Sequence, residues 1–419
     1  MTSNRTQTIV GITALLTIAL GTFLFVIPHV DVDRVQEGWY LGVPYTQIEH
    51  HQLAVTDVDP FPENGPQAVY SAAAILYSTG SLVVMRIYQS IFSLLVLGLL
   101  FYLFFRIYQD HQFSWYEVAA YLVIFSSVWF SIPLALVYPV QVNGMTAGFA
   151  CLLLGLLVFP QSTAWGMFCF GWAFSFKGQY LGLLPGFIMY VFLIDKREKT
   201  VSAHLVKSIL SVIMFFAPKT IILAGLWKAL GLFPTGKDLW QYALDGPILL
   251  FTQLQFILGH VLGKAGAASP EAATRRAVEY SGYGLIAWGH VMISVLFCIG
   301  FTIRSIWKQF RKASIQIAGF DKGLTVLAWG GLFYWINFLF FYRFPYWYNV
   351  FAVIFLNIFL AAALVYLAVS WISARAGKRW GSALLLACSL FALGIVTSIV
   401  LRAHYGLKGN SLEPYDWMQ

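Results

Sequence analysis

The feature that most constrains this chain is a succession of long apolar runs. Windows of about 20 mainly apolar residues, the length a helix needs to cross a bilayer, fall near residues 8–28, 83–105, 116–138, 144–158, 163–176, 180–194, 205–227, 283–303, 323–342, 347–371 and 381–401. The three at 144–158, 163–176 and 180–194 are short and separated by the breaks "PQST" and "KGQ". They are expected as short tilted helices, with one of them re-entrant as the alternative. Of the 419 residues, 59% are hydrophobic and 11% charged, where a soluble domain carries about 25% charge. Mean hydropathy is +0.73. So little polar surface cannot coat a water-soluble globule of this size. The expectation is an all-α polytopic membrane protein of about eleven transmembrane helices, forming one membrane-embedded domain over residues 1–419. "MTSNRTQ" opens straight into the first run without a small-residue cleavage site. That run is expected to be retained rather than removed as a signal peptide.

Lys and Arg in short loops mark the cytoplasmic side. The rich clusters are "DKREK" (195–199), "RSIWKQFRK" (304–312) and "SARAGKR" (373–379). With eleven spans and a cytoplasmic N-terminus, all three fall inside, as does "RIYQDHQ" (106–112). The net charge of +8 then reads as topology signal and lipid headgroup contact; nucleic acid is not an expected partner. Cys151, Cys169, Cys298 and Cys388 all lie in apolar runs without metal-ligand spacing, so they read as small buried hydrophobes.

This topology leaves two long outer loops, 29–82 and 229–282. The first holds seven of the chain's 18 acids, three of its eight histidines and four prolines. Asp31, Asp33, Arg34 and Glu37 crowd into "VDVDRVQEGWYLGVP", and Asp-Val-Asp recurs in "TDVDPFPENGP". Residues 66–80, "PQAVYSAAAILYSTG", are expected to form an interfacial helix. Such carboxylates can take a proton, bind a hard divalent cation or simply be solvated. In an extended segment residues i and i+2 share a face, so the Asp-Val-Asp pairs also arise without a metal. No metal ligand is assigned, and no cofactor beyond a possible divalent cation.

Acid-Gly-aromatic just outside the first span ("QEGWYL"), then Asp, Gly-Pro and an interfacial helix ("DVDPFPENGPQAVYSAAAILYSTGSLVVMRIYQ"), resembles the start of the membrane-embedded glycosyltransferases of the GT-C superfamily. "GFACLLLGLLVFPQSTAWGMFCFGWAFSFKGQYLGLLP" is similar to that family's small-residue helix pair ending in a Lys, and "FYRFPYWYNVFAVIFL" to its Arg-aromatic turn before a late span. One position departs from the pattern: Gln36 stands where the first acid of the usual pair would be.

The resemblance implies transfer of a sugar from a polyprenyl-phosphate carrier to a glycan, lipid or protein acceptor, on the extracytoplasmic face of a membrane, most simply a prokaryotic plasma membrane. An acceptor hydroxyl needs a base, the oxocarbenium-like carbon needs nearby negative charge, and the departing phosphate needs cations. Glu37 or Asp33 is expected as the base, with Asp57 and Asp59 assisting or binding sugar. For the phosphate the candidates are Lys177, Lys219, Arg343 and Arg86. Lys219 sits nearest mid-span, where a charge is costly and often functional. The bland alternatives are snorkelling for Lys219 and Arg86 and cation–π contact for Arg343. Tyr346 of the same aromatic turn, and His50 and His51, are further substrate-binding candidates, the histidines being equally at home as interfacial residues. The competing class is a polytopic transporter or lipid flippase. That class more often places ionisable residues mid-span in two matched halves, and no such repeat is visible. A polymerase or ligase of related chemistry, or a non-catalytic scaffold, are further alternatives.

Overall fold

The structure, a computed structural model, describes residues 34–50, 66–107, 113–130, 141–142, 144–194, 200–229, 281–310, 320–341 and 364–406, with isolated positions 13, 20, 21, 27, 412, 414, 415 and 418. Regular structure among these is helical: α1 (Arg34–His50), α2 (Pro66–Thr79), α3 (Leu82–Ile107), α4 (Trp115–Phe130), α5 (Met145–Val158), α6 (Thr163–Phe176), a 3₁₀ turn (Gly178–Leu183), α7 (Leu184–Leu193), α8 (Val201–Ala229), α9 (Ser281–Phe310), α10 (Phe320–Phe341), α11 (Leu364–Ala376) and α12 (Lys378–Gly406). Within the described residues two helices are long and apolar enough to cross a membrane, Leu82–Phe105 and Val201–Ile222. Shorter apolar helices occur at Met145–Val158, Tyr180–Leu193, Thr325–Tyr334 and Leu364–Ala376. The short-helix expectation for 144–194 therefore matches α5, α6 and α7 closely. Most of the first apolar run and nearly all of residues 229–282 lie outside the described residues.

Both long helices expose apolar side chains and bury a few polar ones. On α8, Val201, Leu205, Val206, Ile209, Ile213 and Ile221 are exposed, while Ser208 and Ser211 are buried. The two serine hydroxyls donate to the carbonyls of His204 (2.9 Å) and Lys207 (2.8 Å), one turn back. On α3, Val83, Val84, Ile91 and Leu95 are exposed, and Arg86, Gln89, Ser90 and Ser93 are buried. Their spacing of i, i+3, i+4 and i+7 puts those four on one face. An apolar exterior of this extent suits hydrocarbon better than water.

The chain divides into two compact units. The first comprises Met1–Tyr45, Val69–Ala150 and Phe351–Gln419. Its core is aromatic: Phe104 lies 4.9 Å from Tyr121 and 5.4 Å from Phe125 between ring centroids, and Tyr366 of α11 meets Phe113 at 5.9 Å. A tight turn joins α2 to α3. Gly80 takes a left-handed φ of +61° and its N–H bonds the Leu76 carbonyl at 2.8 Å, an αL helix stop that a side chain resists. Nothing crowds the position, so the penalty is conformational alone. Gly80→Ala is expected to cost about 1 kcal/mol, read as a drop of a few degrees in the melting temperature of purified protein.

The second unit comprises Thr46–Ala68 and Cys151–Val350. Here glycines let helices touch backbone to backbone. A Cβ on Gly171 of α6 would fall on the Phe215 carbonyl of α8, and one on Gly186 of α7 on the Trp329 carbonyl of α10. Small residues at such crossings are the usual means of helix association in lipid, where apolar burial gives little drive. Phe159, Phe170 and Phe187 pack in a column with centroid spacings of 5.9 and 4.4 Å. The Trp329 indole N–H donates to the Ser305 hydroxyl of α9 at 2.9 Å.

Candidate functional site

The acid-Gly-aromatic stretch folds as the opening of α1, with Glu37 in the first turn, where a carboxylate meets the positive end of the helix dipole. Glu37 is 0% exposed. A carboxylate so placed needs partners, and three residues give it four hydrogen bonds. Arg86 of α3 donates from Nη1 to Oε1 at 2.5 Å and from Nη2 to Oε2 at 2.8 Å, a bidentate fork. The backbone N–H of Val142 donates to Oε1 at 2.7 Å. The Tyr415 hydroxyl donates to Oε2 at 2.7 Å. Arg86, 1% exposed, also donates from Nη2 to the Tyr415 oxygen at 3.1 Å. All these residues belong to the first unit.

Two lone-pair sites on each oxygen give a carboxylate about four acceptor positions, so Glu37 is fully engaged. Burial, and next the negative charge of Glu37, push the Tyr415 phenol above its ordinary range. It remains a neutral hydroxyl that gives its hydrogen to the carboxylate and accepts one from the guanidinium.

Sequence reasoning singled out Glu37 but treated Arg86 only as a phosphate candidate near a span end. Its polar companions one and two turns on, Gln89, Ser90 and Ser93, were the available signal that this face turns inward. Val142 and Tyr415 were missed. A backbone N–H leaves no trace in sequence, and one tyrosine among 22 has no distinguishing neighbour.

Other candidates fall elsewhere. Asp33, Asp57, Asp59, His51, Arg343 and Tyr346 lie outside the described residues. His50 is the exposed last residue of α1, its Nε2 3.9 Å from the Glu49 carboxylate. Lys177 and Lys219 are in the second unit. Lys177, 2% exposed, adopts an extended conformation (φ −147°, ψ 120°) between α6 and the 3₁₀ turn, its N–H bonding the Ala173 carbonyl at 3.1 Å. The Lys219 ammonium lies 4.4 Å from the Phe174 ring centroid, a cation–π contact. Both cations thus attend the last turn of α6. Gln67, just after Gly65-Pro66, reaches the same turn. Its Oε1 accepts from the Trp172 indole N–H and the Ser175 hydroxyl, each at 2.7 Å. Among the described residues no group of three or more His, Cys, Asp or Glu could hold a metal.

No family model matches the sequence, and no curated protein matches it. Among solved structures, the Archaeoglobus fulgidus oligosaccharyltransferase in the apo form aligns over 98% of this chain at 12% identity, with a TM-score of 0.44. The chain spans 57% of the length of that protein. At this identity and score the likeness carries none of the chemistry below.

Proposed function

We propose that this protein is a membrane glycosyltransferase of the GT-C type, moving a sugar from a polyprenyl-phosphate carrier to an acceptor hydroxyl on the extracytoplasmic face. The observation that carries the reading is the Glu37–Arg86 pair. A buried carboxylate, at the start of the acid-Gly-aromatic stretch that resembles this superfamily, lies within hydrogen-bond reach of a hydroxyl. That is the geometry asked of a general base. The apolar exteriors of α3 and α8 support a lipid setting, and eleven spans remain the topology that agrees with the basic loops.

In this reading the acceptor oxygen attacks the anomeric carbon as its proton passes to a carboxylate. The bond from that carbon to the lipid phosphate oxygen breaks, and the electron pair leaves with the phosphate. Glu37 is the first choice for the base and Asp33 the second; Asp57 and Asp59 assist or bind the sugar. Lys177 and Lys219 are assigned to an anionic lipid headgroup, a role their apolar surroundings strengthen. Arg343, Tyr346, His50 and His51 complete the substrate-binding set.

The test is transfer in native membranes from polyprenyl-phosphate sugars, comparing wild type with Glu37→Gln and Asp33→Asn. Loss of the base is expected to lower transfer by at least about tenfold, a floor below the roughly 10²–10⁴-fold that a general base contributes. Equal rates in all three chains would sink the assignment. A transporter or flippase is favoured by one observation, the buried polar row of Arg86, Gln89, Ser90 and Ser93 along a span-length helix. Lipid-linked sugar crossing proteoliposomes without any transfer would select that alternative.

A further inference from the structure

The fourth hydrogen bond to Glu37 comes from an alcohol-like hydroxyl supplied by the chain itself. Tyr415 gives its hydrogen to Oε2 at 2.7 Å and accepts from Arg86 Nη2 at 3.1 Å. A hydroxyl about to attack would ask for the same two contacts: a carboxylate for its proton, and a donor beside its oxygen. The other three positions on Glu37 are taken by Arg86 twice and Val142 once. One place on the carboxylate is therefore filled by a group that another hydroxyl can replace. We propose that Tyr415 holds the acceptor's place: its hydroxyl marks the acceptor-hydroxyl subsite, and it must withdraw before an alcohol-bearing acceptor is activated. This rests on the transferase reading above.

Two buried hydroxyls elsewhere in the first unit, Ser93 Oγ and Thr146 Oγ1, are also left without a hydrogen-bond partner among the described residues. Ser93 lies on the same face of α3 as Arg86, seven residues on, or about 10 Å along the axis. Thr146 lies four residues beyond Val142. Buried hydroxyls left without partners are uncommon, and a polyhydroxylated acceptor would supply them. Substitution of Tyr415 would also remove its support from the Glu37–Arg86 pair, so a purely structural role predicts loss of activity. The subsite role predicts the opposite in one assay, because water can take the vacated place.

That assay is donor hydrolysis without acceptor. Water's oxygen bonds the anomeric carbon, the carbon–phosphate-oxygen bond breaks, and the proton passes to the carboxylate and on to solvent, leaving free sugar and polyprenyl phosphate. The full chain in nanodiscs would be given undecaprenyl-phosphate-linked mannose as probe. In parallel, access to Glu37 would be read by mass spectrometry after a water-soluble carbodiimide with glycine ethyl ester. Tyr415→Ala is expected to raise mannose release about tenfold, below the roughly 10²–10⁴-fold of a base acting on a positioned acceptor, with Glu37 modification rising as well. Tyr415→Phe, which keeps the ring, should fall between Ala and wild type. Tyr415→Leu replaces the Ala variant if that chain fails size exclusion. If wild type releases mannose and the variants release no more, or if Glu37 stays as protected as before, the subsite is overturned while the transferase reading stands. If no form releases mannose, the subsite is overturned, and the transfer assay with acceptor present decides the transferase reading separately.

Discussion

Arg86→Leu is expected to destabilise the protein by about 3–5 kcal/mol, the cost of leaving one member of a buried ion pair uncompensated. The figure applies without discount for solvent because Glu37 is 0% and Arg86 1% exposed. The readout is thermal unfolding in mild detergent, followed by size exclusion. Arg86→Lys should recover only part of the loss, since an ammonium cannot form the two parallel bonds of the guanidinium fork. The double variant Glu37→Leu with Arg86→Leu separates the pair from its surroundings. Removing both charges together should be milder than Arg86→Leu alone. It will not return to wild type, because Val142 N–H and the Tyr415 hydroxyl then lose their acceptor. If Arg86→Leu melts with wild type, the pair is not buried in the working protein and the site as described is wrong.

Gly171→Val is expected to destabilise the second unit by about 3 kcal/mol or more. A Cβ there meets the Phe215 carbonyl oxygen and carbon. These are backbone atoms inside α8 and cannot rotate away as a side chain would. Overpacking usually costs about 1–3 kcal/mol and sometimes more; a β-branched residue at a helix crossing belongs at the upper end. Gly171→Ala should be destabilising by about 1–3 kcal/mol on the same ground. Gly300→Ala is the control: nothing lies within 4 Å of its Cβ, and alanine is the better helix former by about 1 kcal/mol. Chains carrying the two alanine changes, expressed side by side and compared by yield after size exclusion, should differ sharply. Equal yields would mean that α6 and α8 do not touch at Gly171.

These two positions also show what the sequence could and could not disclose. The small breaks "PQST" and "KGQ" divided 144–194 into three short segments, and α5, α6 and α7 follow that division within a few residues. Proline and glycine punctuation is local, so it is readable. Residues 66–80 were recognised as a helix for a similar reason: an unbroken apolar stretch between Gly-Pro and a Thr-Gly stop. The Arg34–His50 helix was not anticipated, since these residues were read only as part of a long loop; Pro44 is accommodated within α1. Glu37 stood out because acids are rare. Its partners did not, since Arg86 is 49 positions away and Tyr415 is 378, and pairing over such distances leaves no periodicity to detect. That Gly171 rather than Gly300 lies at a helix crossing is likewise a property of the neighbour, not of the glycine. The eleven-span count depends partly on stretches outside the described residues; two of its members, Leu82–Phe105 and Val201–Ile222, have the length and apolarity required.

The threading of the first unit has a consequence for biogenesis. Its carboxylate and guanidinium leave the ribosome 49 positions apart, but the phenol follows 378 positions after the carboxylate, and residues 151–350, nearly all of the second unit, are made in between. At roughly 5–20 residues per second, Glu37 waits about 20–75 s for its last partner. Through that interval the nascent chain must shelter a charged group with only Arg86 and Val142, so a chaperone or insertase would find its most vulnerable client before translation reaches the tyrosine.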